Sequence, residues 1–504
     1  MKTKILYIAL ALSVVNSSCT LVGEPSDAIT TENLTKTSAG LLNAVNGAYS
    51  LFKSHISFNG SEDQNNMYLR QYFQLSDFAS DDIVCGQITE DPLFYSFTQD
   101  HTPGQDNTRY FWYVSYKIIN DVNTVIEAGE KIANPDAATQ QLIGECYFLR
   151  AFCHFNLVRL FAKPYSHDPN APGIILRTSV SDEPQKARST VQEVYNQVIA
   201  DAEKSATLMT QSRGAQYASK EAALALLSRV ALYMEDNQKA VDYATQVINS
   251  GKFSLESAAS FPTYFANANS SNETIFSVAF TTADDYGKFG SIASMIYSDG
   301  NSGWGEEFAS QSLRSLMAQH PEDVRWSFIV PLKDENGEIA KKNGIETYYI
   351  TKFSFQDGRP NLSSPVMFRL AEMYLNRAEA EAKLGQDALA LNDVDMIRKN
   401  RGLAGALYNQ KVPAGSTALD VVLTERRLEL AFEGHRVFDV YRNKRNLDRS
   451  YWGYHLRGLK ETDIDLSKEP KNYPGLVVSW NSPRIIYYIP VDEILTNPLA
   501  TQNE

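Results

Sequence analysis

Two stretches of this chain have the same design. KEAALALLSRVALYM-EDNQ-KAVDYATQVINSG begins at Lys220, and RAEAEAKL-GQD-ALALNDVDMIRKNRG begins at Arg377. Each gives an Ala-rich helix, a turn of a few residues and a second helix. Alanines where two helices cross let the backbones approach closely, so each stretch predicts a tight helical hairpin. A hairpin of this kind cannot bury its apolar faces alone. It must stack on neighbours, which limits the chain to an architecture of packed helical repeats.

The shape is tetratricopeptide-like, with about 34 residues per repeat, although the Trp and Pro signature positions of that repeat are missing. The repeats are not contiguous in the sequence, so a simple solenoid is not expected. The most recognisable region, Ser364 to Arg442, carries the second hairpin. There Met367, Leu370, Ala371, Tyr374, Leu375, Ala378 and Ala382 form one apolar stripe, with Ser364 as N-cap, Pro365 at the first helical position and Gly385 as the stop. A helix over 387–401 and a third, ERRLELAFEGHRVFDVYR over 425–442, complete it.

Further stripes predict more helices. Leu41, Val45, Ala48 and Phe52 give the first, and Trp112, Tyr116, Ile119, Asn123 and Ile126 give another. Leu142, Cys146, Leu149, Cys153, Leu157 and Leu160, flanked by Phe148, Phe152 and Phe155, describe a long helix apolar on two sides, ending before Lys163-Pro164. After the Pro-rich connection 164–188, Thr190 and Glu193 are placed for a capping box ahead of Val191, Val194, Tyr195, Val198, Ile199 and Ala202.

Two segments interrupt this pattern, 55–106 and 253–363. The first lacks periodicity but is rich in aromatics, which argues against disorder. In the second, TIFSVAF reads as a strand, WSFIVPL and IETYYITKFS flank a turn at Asp334 to Gly337, and Tyr286, Phe289, Tyr297 and Trp304 lie among glycines. The chain's end, SPRIIYYIPVDEILTNPLATQNE, predicts a strand, a short helix and a tail. The fold class is therefore mostly α, with helical repeats, loop-rich insertions near 55–106 and 253–363, and small β-hairpins. No linker divides the body, so 39–504 reads as one domain.

The N-terminus reads as an export signal. Lys2 and Lys4 precede the apolar run Ile5 to Val15, which is too short to span a bilayer, and Asn16, Ser17 and Ser18 lead to Cys19. That arrangement predicts a signal over 1–18, lipidation of Cys19 and a tether over 19–38. Asn16 stands where such signals usually carry a larger apolar residue, and the alternative is an ordinary secretory signal with an incidental cysteine. Cys146 and Cys153 lie seven apart on one helix, about 10.5 Å along its axis, too far for a disulfide. The net charge of −13, without a basic stripe, argues against a nucleic-acid partner.

Enzyme signals are poor. HExxH, GxSxG, a P-loop and a GxGxxG after a strand are all missing, and the seven histidines show no metal-ligand spacing. His154 and Trp112, both on apolar helical faces, read as structural. Glu429 and Glu433 resemble a catalytic carboxylate pair, but Arg426 and Arg436 are spaced to make them helix-face ion pairs, as Arg377 is for Glu372, Glu379 and Glu381. A binding platform fits better. Sugar rings present C–H faces that stack on flat aromatics, and their hydroxyls need amide, carboxylate or cationic partners on well-held loops. Asp82, Gln87, Phe94 and Tyr95 in the first insertion qualify, as do Tyr286, Phe289, Asn301 and Trp304 in the second. For Trp304, packing within its own loop is an equal alternative, and Asp81 reads as a turn cap.

Several motifs together resemble the SusD/RagB family of outer-membrane nutrient-binding lipoproteins of Bacteroidetes: the N-terminus at Cys19, SDDIVCGQ, WYVSYKIINDVNTVIE, ECYFLRAFCHFNLVRLFAKPY, FRLAEMYLNRAEAEAKLG, ERRLELAFEGHRVFDVYR and YYIPVDEILTNP. They span nearly the whole chain. The loops 86–106 and 281–305 depart from the family pattern, and in the family these two regions build the ligand surface. The resemblance implies a SusD-like fold without covalent chemistry. It implies a surface-exposed lipoprotein, anchored in the outer membrane, that captures an oligosaccharide and delivers it to a SusC-like TonB-dependent transporter. A peptide ligand, or a secreted glycoside hydrolase, are the alternatives. No cofactor is expected, with a structural calcium left open.

Overall fold

The computed structural model describes residues 38–61, 63, 65–87, 94–456, 459–470 and 475–504. The proposed signal, Cys19 and the tether up to residue 37 lie outside these residues. Along the chain the principal helices are α1 (Ser38–Ser50), α2 (Tyr68–Asp77), α3 (Asp106–Gly129), α4 (Ala137–Phe161), α5 (Val191–Leu208), α6 (Lys220–Tyr233) and α7 (Asn237–Ile248). After the second insertion come α8 (Leu370–Lys383), α9 (Asp387–Asn400), α10 (Ala418–Glu429), α11 (Arg436–Arg442) and α12 (Val491–Thr496).

The axis of the molecule is α4, 25 residues long and buried at every position from Gln141 to Phe161. A helix buried around its whole circumference needs partners on all sides, for its apolar residues and for buried Glu145, Arg150 and Arg159 alike. It packs on α3 before it and α5 after it, and α5 packs on α6. The capping box at Thr190 and Glu193 starts α5 as the sequence predicts. Ser219 caps α6, and Gly385, at φ 74°, follows α8 as its stop. Cys146, Cys153 and Cys85 are buried free thiols.

The two hairpins, α6–α7 and α8–α9, are adjacent in space, because α7 packs directly against α8. The repeats missing continuity in the sequence therefore have it in three dimensions, and the second insertion is an excursion from the stack. Its ends are held side by side by antiparallel pairing of Thr274–Ser277 with Val366–Arg369. Farther out, Ile329–Pro331 pairs with Tyr348–Ile350, the hairpin predicted from WSFIVPL and IETYYITKFS.

Four local expectations are corrected. Val366–Arg369 is a strand, so α8 begins at Leu370 and Ser364 is no N-cap; its hydroxyl instead accepts from the Phe280 N–H at 2.9 Å. The expected single helix over 425–442 is broken into α10 and α11 where Phe432 and Gly434 take φ of 67° and 75°. The first insertion contains α2, whose ten residues are all buried; Tyr68, Leu69, Tyr72, Phe73 and Leu75 recur along it at helical spacing, a short stripe within the segment 55–106 that was expected to lack periodicity. The segment RIIYYIP forms a 3-10 turn at Pro483–Ile485 and extended chain instead of a strand, and Tyr487 N–H donates to the Leu160 carbonyl at the end of α4.

Candidate functional site

Two anchors fix the insertions to the helical stack, and both lie on α10. Its Glu429 accepts from three buried guanidiniums: Arg369 at 2.6 Å, Arg401 at 2.7 Å and Arg325 at 3.2 Å. Arg369 and Arg401 also bind Glu273, at 2.8 and 3.1 Å, and Arg369 binds Glu433, which in turn holds Lys352 at 2.6 Å. Glu273, Arg325 and Lys352 belong to the second insertion, so this network clamps the base of that insertion onto the repeats. Burial alone would raise the Glu429 pKa, but Arg401, Arg369 and Arg325 outweigh it and hold the carboxyl well below its usual range.

On the same helix Arg427 reaches the first insertion, donating to Asp82 at 2.7 Å and the Asp81 carbonyl at 3.1 Å. Arg436, at the start of α11, binds Asp81 at 2.6 Å. Burial opposes ionisation of Asp81, yet the Arg436 and Arg427 guanidiniums hold it below the usual carboxylate range. These contacts replace the helix-face pairs expected from spacing. Arg426 binds Asp439 at 3.2 Å and Glu379 at 3.3 Å, Glu372 binds Arg229 at 2.6 Å, and Arg377 binds Asp393 at 2.7 Å. Glu429 and Glu433 are likewise buried structural anchors, unavailable as an acid–base pair.

The insertions also meet each other. Ile83–Cys85 pairs antiparallel with Glu307–Ala309, and the Gly86 N–H donates to the Glu306 carbonyl at 2.7 Å. A Cβ on Gly86 would lie 2.3 Å from the Phe308 ring, so only glycine permits this approach.

Beyond that pairing, 281–305 forms an exposed platform. Phe289 and Trp304 are 56% and 44% exposed and meet edge to face, with ring centroids 5.4 Å apart and planes at 77°. The Lys288 ammonium lies 4.6 Å from the centre of the Trp304 ring, within cation–π range. The backbone beneath is tightly held. Trp304 N–H donates to the Ser294 carbonyl at 2.6 Å, and a Cβ on Gly303 would fall 1.9 Å from the Tyr297 carbonyl oxygen. Buried Arg70 of α2 donates to Ser294 Oγ at 2.8 Å and to the Ser291 carbonyl. At the other end Lys53 binds Asp284 at 2.8 Å and Arg359 binds Asp285 at 2.9 Å.

A neighbouring loop adds a ring that the sequence does not mark. Phe355 is 41% exposed, sits at φ 73° and packs edge-on against Tyr297 at 5.4 Å. A bulky side chain in the left-handed region is a strained conformation, retained only where surrounding contacts impose it. Those contacts are present: Gln356 donates to the Phe280 carbonyl at 2.7 Å, and Asn361 donates to the Ser302 carbonyl. Lys288 was also missed, being one unremarkable lysine until the loop places it over Trp304.

Of the residues singled out from the sequence, the structure brings together Phe289 and Trp304, with exposed Asn301 on the same loop. Tyr286 is half-buried, its ring 4.1 Å from that of His55 and its hydroxyl donating to the Lys53 carbonyl at 3.1 Å, so it braces the platform. Tyr95 is 38% exposed, and among the described residues no ring contact joins it to the aromatic pair. Gln87 is half-buried and donates to Glu306. Asp82 is 1% exposed and turned to Arg427; burial raises its pKa against that guanidinium, and it serves as an anchor beneath the surface. The Phe94 side chain lies outside the described residues. Trp112 is 5% exposed, and His154 is fully buried, with burial pushing its pKa down to about 3. Among the described residues no cluster of His, Cys, Asp or Glu is arranged to hold a metal.

Residues 268–504 match the model of the SusD family, and residues 28–232 match a SusD-like model described as starch-binding associating with outer membrane. The chain belongs to the SusD family. SusD-like protein P38 of Formosa agariphila is 26% identical over 524 residues, covering 93% of this chain and 97% of that protein. A SusD superfamily protein from Bacteroides thetaiotaomicron VPI-5482 superposes with a TM-score of 0.80 at 28% identity, covering 93% of this chain and all of that one. A putative sugar-binding protein from Bacteroides vulgatus ATCC 8482 gives 0.78 at 25%, over 92% and 98% of the two chains. SusD-like proteins are carbohydrate-binding proteins associated with the outer membrane. No helix among the described residues of this member is long and apolar enough to cross a membrane.

Proposed function

We propose that this protein binds an oligosaccharide at the cell surface on the platform of Phe289, Trp304 and Phe355 and delivers it to a SusC-like TonB-dependent transporter. The observation that carries the reading is the exposed, perpendicular Phe289–Trp304 pair with Lys288 and Asn301 beside it, in a family of carbohydrate-binding proteins. Exposed rings on a rigid base stack on sugar C–H faces, and the ammonium and amide serve hydroxyls. The body spans 39–504, exported behind residues 1–18 and held to the outer membrane through a lipidated Cys19 and a tether. No covalent step is involved, and capture needs no cofactor or metal, so chelation with EDTA leaves affinity unchanged.

A glycan array probed with the purified body identifies the ligand, and isothermal titration then compares variants. Trp304→Ala together with Phe289→Ala is expected to weaken binding at least about tenfold. Unchanged affinity in that double variant removes the platform as the site, and release of new reducing ends would favour a hydrolase instead. Delivery is tested by co-purification with an outer-membrane barrel, and anchoring by Cys19→Ala, which should release the protein from the membrane fraction.

A further inference from the structure

A second concave site lies on the stack itself. One face of α3 forms the floor of a cleft of about 580 Å³, walled by the connection around 175–182 and by α12. Trp112 and Tyr116 line the floor, and Tyr113, 40% exposed, stands at the side with its ring 5.2 Å from that of Phe58. The volume suits a short saccharide rather than a protein segment. No lining residue belongs to the 281–305 platform.

Its charges are unequally satisfied. Two carboxylates are ion-paired, Asp492 with Arg109 at 2.7 Å and Asp182 with Lys186 at 3.2 Å, while Glu493 accepts from neutral donors, the Trp112 indole N–H at 3.2 Å and the Asn497 amide at 2.8 Å. Two cations likewise make no ion pair. The Arg177 guanidinium donates to the Glu183 and Pro184 carbonyls, and Lys117, one turn from Asp121 and near enough to favour its ionised form, makes no ion pair among the described residues. Among the described residues the lining thus leaves two cations, Lys117 and Arg177, against one carboxylate, Glu493, without an ion pair, beside aromatic faces of the kind that stack on sugar rings.

We propose that this cleft is a second saccharide-binding site, for a sugar carrying a carboxylate or sulfate. Tyr113 supplies the stacking face, and Lys117 and Arg177 receive the anion. The probes are trigalacturonic acid and a sulfated chondroitin disaccharide, with maltotriose as the neutral control, followed by isothermal titration and ligand-observed NMR. At least one acidic probe should bind about tenfold or more tighter than maltotriose and weaken as salt rises, since surface charge attraction is screened. Tyr113→Ala, at an exposed position, and Lys117→Ala, at a half-buried one, should each weaken it about tenfold. The Phe289→Ala, Trp304→Ala double variant should leave it unchanged, which separates this site from the platform. Failure of both acidic probes to bind, a preference for maltotriose, retained affinity in Lys117→Ala, or loss of binding in the double platform variant would each overturn the proposal.

Discussion

The base of the second insertion and its tip invert the usual placement of residues. At the base, Glu429, Arg369, Arg401 and Glu273 are charged and fully buried; at the tip, Phe289, Trp304 and Phe355 are apolar and exposed. Each arrangement is costly by itself and acceptable for a different reason. The buried charges satisfy one another through several short contacts apiece, and such a network fixes one geometry and penalises any other. The exposed rings forgo burial and remain open to a ligand. The comparison separates what holds the site from what uses it.

The sharpest way to break that separation is Glu429→Gln. It leaves three guanidiniums without their shared carboxylate, and loss of one member of a buried network costs about 3–5 kcal/mol. Urea unfolding should show this loss at neutral pH. The folded pKa is depressed, so the stabilisation is fully present above the ordinary carboxylate range and is lost as pH falls through the depressed value. The deficit of the variant should accordingly shrink toward strongly acid pH. Next in size, Trp304→Ala should weaken oligosaccharide binding about tenfold, roughly 1.4 kcal/mol, while the melting temperature stays within about 2 °C of the parent. A binding loss accompanied by unfolding would mean that the tip also bears structural load.

Glu381 tests the rule that scaffold charges are satisfied. Its Oε2 is buried without a hydrogen-bond partner, and burial, with Asp393 adding and Arg377 opposing, pushes its pKa up to about 7. A raised carboxyl favours the protonated folded state, so its penalty is absent below the unfolded pKa and grows as pH rises to about 7. Glu381→Gln should therefore stabilise the protein by about 1 kcal/mol at alkaline pH and by nothing near pH 4 in thermal unfolding. The smallest effect belongs to Phe355→Gly. Glycine relieves the left-handed conformation, a gain of about 1 kcal/mol, while loss of the ring weakens ligand binding a few-fold.

The helical hairpins were legible because each carries an apolar stripe, reinforced by the cap at Ser219 in the first and the stop at Gly385 in the second, and local rules decide these features. What failed was whatever depends on distant partners. Glu429 lies three residues from Arg426 and seven from Arg436, yet its partners are Arg369, Arg401 and Arg325, brought in by tertiary packing. The helix α2 was missed although Tyr68, Leu69, Tyr72 and Phe73 recur at helical spacing, because ten residues make a short window among turn-forming neighbours. Within the platform, Phe289, Asn301 and Trp304 could be selected by residue type, whereas Phe355 could not: its exposure follows from a backbone angle that the contacts of Gln356 and Asn361 impose. Asp82 was misplaced for the converse reason, since a loop aspartate looks solvent-facing until Arg427 is folded against it.

The direct packing of α7 on α8 also has a kinetic meaning. Between the end of α7 and the start of α8 the chain makes an excursion of roughly 120 residues, and closing so long a loop carries an entropic cost that grows only slowly with its length. The local hairpins on either side can form early, and their docking is the slow, non-local event. That docking brings Thr274–Ser277 to Val366–Arg369 and sets the footing on which the aromatic rings stand. A refolding experiment that follows saccharide binding would consequently time the closure of the helical stack, because the platform acquires its shape only when the two halves meet.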